Sequence, residues 1–262
     1  MLKHLVLAVD YTPEWDQAME QLPQLLKLLG TEKITLTYVL KNYKRLKGGD
    51  SQASASERLH KVSEKLSSAL GVQTQTRVAE GFVAQEVLAI AKQEQADGVI
   101  ACNRSHKVSK EIFFGNSALN LARMARIPLM IIPVQEQAPA AEDEVLFATD
   151  GSKPSLNAQA AFENLMADNH PGHVVWVHSN EPHPEDEATE ERVNELAQRY
   201  SNVQSDIRIG RPVEQILQAI DKTRPALTII GKRGSTPIKE ILLGSTTEHV
   251  ATASRFPVLM IP

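Results

Sequence analysis

Residue type and spacing point most directly to chemistry in one segment of this 262-residue chain: Gly231-Lys232-Arg233-Gly234, nine intervening residues, then Gly244-Ser245-Thr246. Gly231 and Gly234 can take φ > 0 and let the backbone approach an anion with no Cβ in the way. Successive N–H groups in such a loop form a nest for an anion. Gly244-Ser245-Thr246 reads as the start of a helix, where unpaired N–H groups and the positive dipole end favour a phosphate and two hydroxyls add donors. Lys232 and Arg233 could neutralise phosphate charge. Asp150, in Asp150-Gly-Ser-Lys-Pro, offers a carboxylate that could accept from a ribose hydroxyl or an adenine amino group, or cap the helix that follows. The pattern is neither the dinucleotide G-x-G-x-x-G, which follows a first strand, nor a Walker loop.

An internal repeat shows which elements must carry these residues. Arg126-Ile-Pro-Leu-Met-Ile-Ile-Pro133 recurs 129 positions later as Arg255-Phe-Pro-Val-Leu-Met-Ile-Pro262, and the same register pairs Gly81 with Gly210, Arg104 with Arg233, and Gly115 with Gly244. Near the start of each copy, Leu5–Asp10 matches Val145–Asp150 at an offset of 140, so the first copy carries about eleven extra residues, assigned to the Lys41–Asp50 loop and the helix after it. Apolar, β-branched runs at Leu5–Val9, Ile34–Leu40, Gln73–Val78, Gly98–Ala101 and Leu129–Ile132 alternate with helical stretches such as Ser56–Leu70. The second copy repeats the order at Val145–Thr149, Val174–His178, Val203–Ile209, Leu227–Ile230 and Val258–Ile261. Strands alternating with helices imply right-handed crossovers and a parallel sheet covered on both faces. The expectation is an α/β chain of two tandem, doubly wound, Rossmann-like domains, each with a five-stranded parallel sheet: residues 1–133, a linker at 134–143, and residues 144–262. In such sheets ligands bind beyond the carboxyl ends of the strands where strand order reverses, which selects the loops after the first and fourth strands.

These residues resemble the universal stress protein family, and its tandem-domain members in particular. The family signature G-x2-G-x9-G-[S/T] is met at Gly231, Gly234, Gly244 and Ser245; the Asp closing the first strand and an aromatic or His near the end of the second (Tyr38, His178) also match. The resemblance covers both copies. It implies ATP as ligand, with ADP and AMP as alternatives and Mg²⁺ as an allowed companion, held by Asp150, Ser179, Gly231, Gly234, Gly244, Ser245 and Thr246. Ser179 enters through the resemblance alone, as the residue after the second-strand His whose backbone would meet the adenosine; the family more often has Val there. The first copy departs from the pattern. Cys102, Ser105, Gly115 and Asn116 stand at its signature positions, so two of three glycines and the hydroxyl are gone although Asp10 persists. Side chains at 102 and 105 would narrow the space for a phosphate. The first site is expected to be degenerate.

Bulk properties bound the rest. A 42% hydrophobic and 23% charged composition suits two soluble cores. A net charge of −4 argues against a general nucleic-acid binder. No run approaches the roughly 20 apolar residues of a membrane span, and Met1–Asp10 reads as a first strand rather than a signal peptide. The single Cys102 excludes a disulfide framework within the chain and points to the cytoplasm. His170, His173, His178 and His183 lie near Glu181, Glu185 and Asp186, but one sits in a strand and the rest in loops, so no metal site is assigned. The acidic run Glu181–Glu191 reads as a solvated loop and helix start. Each copy ends in an apolar strand at a sheet edge, a liability unless paired. Because the family commonly dimerises through that strand, the two edges are expected to pair within one chain as a pseudo-dimer, with a homodimer of such chains left open. The functional expectation is an ATP-binding stress-response or regulatory protein with nucleotide in its C-terminal half. A slow nucleotide hydrolase and a scaffold that binds no nucleotide are the alternatives. No base stands in the glycine loop, so the chain is at most a weak ATPase and no catalytic residue is assigned.

Overall fold

The structure is a computed structural model that describes residues 1–12, 15–40, 51–103, 106–108, 111–113, 116–134, 140–152, 155–178, 186–234 and 243–262. The first half runs β1 (His4–Val9), α1 (Trp15–Met19), α2 (Leu22–Leu29), β2 (Lys33–Leu40), α3 (Gln52–Leu70), β3 (Gln73–Glu80), α4 (Val83–Gln93), β4 (Gly98–Asn103), β5 (His106–Val108), β6 (Glu111–Phe113), α5 (Asn116–Met124) and β7 (Leu129–Pro133). The second runs β8 (Glu142–Thr149), α6 (Ser155–Met166), β9 (Gly172–His178), α7 (Asp186–Arg199), β10 (Val203–Ile209), α8 (Pro212–Thr223), β11 (Pro225–Gly231), α9 (Ser245–Ala253) and β12 (Val258–Ile261). Within each half the five main strands lie in the order third, second, first, fourth, fifth, and every pair is parallel.

The halves join through their last strands. β12 pairs antiparallel with β7, Leu259 facing Met130, and the two five-stranded sheets become one of ten strands in the order β10-β9-β8-β11-β12-β7-β4-β1-β2-β3. The pairing places both apolar edges in the centre of a sheet, where Met130, Ile131, Val258 and Leu259 are each at most 1% exposed. The outer edges are β3 and β10, whose residues are exposed or half-buried apart from Val203. A short hairpin, β5 with β6, forms a separate two-stranded sheet that the apolar pattern does not announce.

Alternation along each strand feeds two cores. On one face Leu5, Leu7, Phe147 and Leu259 pack with Leu22 and Leu25 of α2, Leu59 of α3 and Phe162 of α6. On the other, Val6, Leu146 and Met260 pack with Val87 of α4, Leu121 of α5, Ile216 of α8 and Val250 of α9. Strands covered on both faces bury every position, as in β11, where all but Thr228 are apolar or glycine. Of the length excess of the first half, part lies in α3, which has 19 residues against 14 in α7, its counterpart. The other part falls on residues 41–50, outside the described residues. Strand β8 begins at Glu142, within the segment read as linker; residues 135–139 of that segment are not described.

Candidate functional site

Strand order reverses between β8 and β11 in the second half, and the segments leaving their carboxyl ends meet. Asp150 follows β8. Its Oδ1 accepts from the Ser152 N–H at 3.0 Å, closing a local turn rather than capping α6, which begins at Ser155. Gly151 takes φ +73°, and a Cβ there would lie 2.1 Å from Thr189 Oγ1, so glycine is required both by conformation and by space. Arg192 of α7 pins this turn, donating to the Gly151 carbonyl at 2.8 Å and to Thr189 Oγ1 at 3.0 Å. Across the reversal, a Cβ on Gly234 would stand 2.5 Å from Asp150 Oδ2. The carboxylate therefore rests directly against the backbone of the glycine loop, a contact that only glycine at 234 allows.

Three further contacts shape the loop. The Gly244 N–H donates to the Lys232 carbonyl at 2.9 Å. The buried Thr247 hydroxyl donates to the Gly231 carbonyl at 2.7 Å, tying the first turn of α9 to the end of β11. A Cβ on Gly244 would come within 3.7 Å of the Gly234 nitrogen, so a longer side chain at 244 would cover that N–H. Helix α9 has Gly244 as its N-cap, and among the described residues no side chain accepts from its leading N–H groups beside Ser245 and Thr246. The segments bearing Asp150, Gly231, Gly234, Gly244, Ser245 and Thr246 thus come together. Ser179 lies outside the described residues. Thr247, Thr189 and Arg192 were not singled out from sequence; Thr247 follows the signature directly, whereas the two α7 residues carry no signal short of a structure.

Two expectations about the loop are corrected. Gly231, Gly234 and Gly244 are absent from the positive-φ residues; Gly231 continues an extended strand and Gly244 sits at φ −70°. These glycines serve close approach of backbones, not left-handed turning. Lys232 does not face the loop's anion nest. It is buried, with its ammonium donating to the carbonyls of Arg123, at 3.0 Å, and Ala125 in the first half. Burial, followed by the neighbouring charges of Arg233 and Arg126, lowers its pKa from 10.5 to about 8.

The corresponding place in the first half is filled by the chain itself. Tyr11 occupies the position of Gly151 and holds a left-handed φ of +53°, uncommon for a non-glycine residue. Its ring meets that of Tyr38 edge-on at 4.7 Å, and the Arg58 guanidinium lies 4.1 Å above it. On α3 the buried Ala55 stands three residues before Arg58, as Thr189 stands three before Arg192 on α7. A bulky residue on the loop goes with a small one on the helix in the first half, and the reverse holds in the second. Cys102, at the position of Gly231, is half-buried, and desolvation together with the charge of Asp10 pushes its thiol well up, the opposite of what a reactive thiolate needs. Asn116 opens α5; Ser105 and Gly115 lie outside the described residues. Among the described residues no three His, Cys, Asp or Glu side chains are placed to hold a metal ion, and no helix is long and apolar enough to cross a membrane.

Fold and site together define a tandem, doubly wound α/β protein whose second half brings Asp150 against the glycine segment after β11. Comparison with known proteins gives the class its family. The family model described as the universal stress protein family matches residues 1–133 and again 143–262, so the chain belongs to that family as a tandem-domain member. A universal stress protein of Thermus aquaticus is 29% identical over 133 residues, 45% of this chain and 96% of its own length. Another from Synechocystis, Slr1230, is 29% identical over 153 residues, 55% of this chain and 51% of its own length. In fold the chain is similar to a universal stress protein of Archaeoglobus fulgidus, with a TM-score of 0.77 at 21% identity, covering 98% of this chain and 97% of that one.

Proposed function

We propose that the second half binds an adenine nucleotide, ATP in the first place, and that the chain is a cytoplasmic, nucleotide-responsive regulatory protein of the stress response. One observation carries this reading: the Asp150 carboxylate abuts the backbone of Gly234, with the open N-terminus of α9 beside it. A group that accepts from a ribose or an adenine amino group then adjoins one that donates to phosphates. A Cβ at 234 would enter the Asp150 carboxylate, and a side chain longer than one carbon at 244 would cover the Gly234 N–H, so the cradle exists because both residues are glycine. In this reading Gly231, Gly234, Gly244, Ser245 and Thr246 hold the phosphates, and Asp150 with the backbone at Ser179 holds the adenosine. Bound ATP supplies negative charge to the loop and, with it, a means of ordering the segments it touches. Lys232 and Arg233, the ionisable residues between Gly231 and Gly234, are poor general bases, and this reading takes the ligand as a signal rather than a substrate.

Mass spectrometry of the small molecules released on denaturing freshly purified protein tests the reading, with an adenine nucleotide as the expected species. A preparation that carries none and shows no ATP binding at millimolar concentration leaves a scaffold instead. Turnover is expected below about 1 s⁻¹, the low end of ordinary enzyme rates; steady phosphate release above that rate places the chain among the hydrolases.

A further inference from the structure

Where β7 and β12 pair, a cleft of about 610 Å³ opens between the two halves. Arg123 and Arg126 line it from the first half, Lys232 and Arg233 from the second. Among the described residues no aspartate or glutamate lines it; Glu248 approaches from α9, with a carboxylate oxygen 3.8 Å from Arg123. Lys232 is explained structurally, since it donates to carbonyls at the C-terminal end of α5. The two arginines at 126 and 233 have no such account: both are exposed, and neither forms a hydrogen bond or ion pair with a described residue. The lowered pKa of Lys232 comes first from its burial and then from the nearby charges of Arg233 and Arg126. The exposed side chain of Met124, with Ala125, adds an apolar wall.

We propose that this cleft binds a small molecule bearing more than one phosphate charge, at a site that shares Lys232 and Arg233 with the glycine segment but is lined by none of Asp150, Gly244, Ser245 or Thr246. Guanidinium groups present paired donors that match phosphate oxygens, and two of them facing one space suit a ligand with at least two anionic groups. The volume falls within the range of roughly 300–1,000 Å³ usual for small-molecule sites. The apolar wall fits a ligand with a carbon body as well as its phosphates. Because Arg126 belongs to no part of the glycine loop, the proposal stands apart from the nucleotide reading.

Inorganic pyrophosphate is the probe. Isothermal titration is run on the full chain, on Gly234→Val, and on Arg126→Gln in the Gly234→Val background, with ATP titrated in parallel. The expected result is one pyrophosphate site that survives Gly234→Val and weakens at least tenfold when Arg126→Gln is added. Circular dichroism of the doubly substituted chain, which alters one exposed side chain at 126, confirms that the loss is not unfolding. Absence of pyrophosphate binding in Gly234→Val overturns the proposal, as does binding that Arg126→Gln leaves unchanged. ATP binding to the parent reports the nucleotide reading separately, so either conclusion can fail alone.

Discussion

At the scale of single residues, the two halves differ most informatively at Tyr11 and Gly151. The left-handed backbone is common to both, but the second half puts glycine there and fills the adjoining space with Thr189. Gly151→Ala is expected to destabilise the fold by about 1–3 kcal/mol, through φ strain and a Cβ driven into Thr189. Adding Thr189→Ala removes the steric part and should restore roughly half of the loss in a denaturant titration; no recovery would mean that strain alone accounts for it. The sequence offered no sign of this pairing, since the two partners are 38 positions apart and belong to a loop and a helix. It also misplaced Lys232. A basic residue inside a phosphate-binding signature invites assignment to the phosphate, yet its side chain leaves on the opposite side. Its lowered pKa has a consequence for stability. Between about pH 8 and 10 the unfolded chain holds more protons at this lysine than the folded one, so stability rises with pH across that window. Relative to Lys232→Met, the parent should gain on the order of 2 kcal/mol between pH 8 and 10, because a tenfold difference in proton affinity is worth about 1.36 kcal/mol. A difference that stays flat or falls would show that the ammonium is not held at a cost.

Among the elements, the ten main strands were legible as β-branched runs, strongly apolar in the central strands and weaker in the exposed edge strands β3 and β10; every one of these runs falls on a strand. The start of α9 was legible too, because a glycine followed by two hydroxyl residues is a helix entrance by chemistry as well as by signature. The hairpin of β5 and β6 was not. Its strands are three residues each and too short to show a period. The same limit applied to the contact of Asp150 with Gly234. Sequence placed both residues beyond the carboxyl ends of neighbouring strands, while their touching depends on the turn that Arg192 holds. The central pairing of β7 with β12 was expected from two unpaired apolar edges, and it carries its own test. Leu259 is fully buried opposite Met130. Leu259→Lys should cost about 3–5 kcal/mol, the range for an uncompensated buried charge, seen as a lowered midpoint in thermal or chemical unfolding. A variant that unfolds like the parent would mean that this strand is not at the centre of the sheet in solution.

Over the whole molecule, duplication has left one fold twice and one site once. Both halves keep the strand order, the two cores and the acid at the end of the first strand. At the described signature positions, only the second keeps Gly231, Gly234 and Gly244. In the first, Cys102 replaces a glycine, and Tyr11 packs with Tyr38 under Arg58 where the second half has Gly151. The central claim is a stoichiometry, and isothermal titration of ATP into the full chain measures it directly. The account predicts one site per chain, abolished by Gly234→Val with the circular dichroism spectrum unchanged, and untouched by Ser105→Val at the matching position of the first half. Two equivalent sites in the parent, or binding that survives Gly234→Val and fails in Ser105→Val, would contradict it.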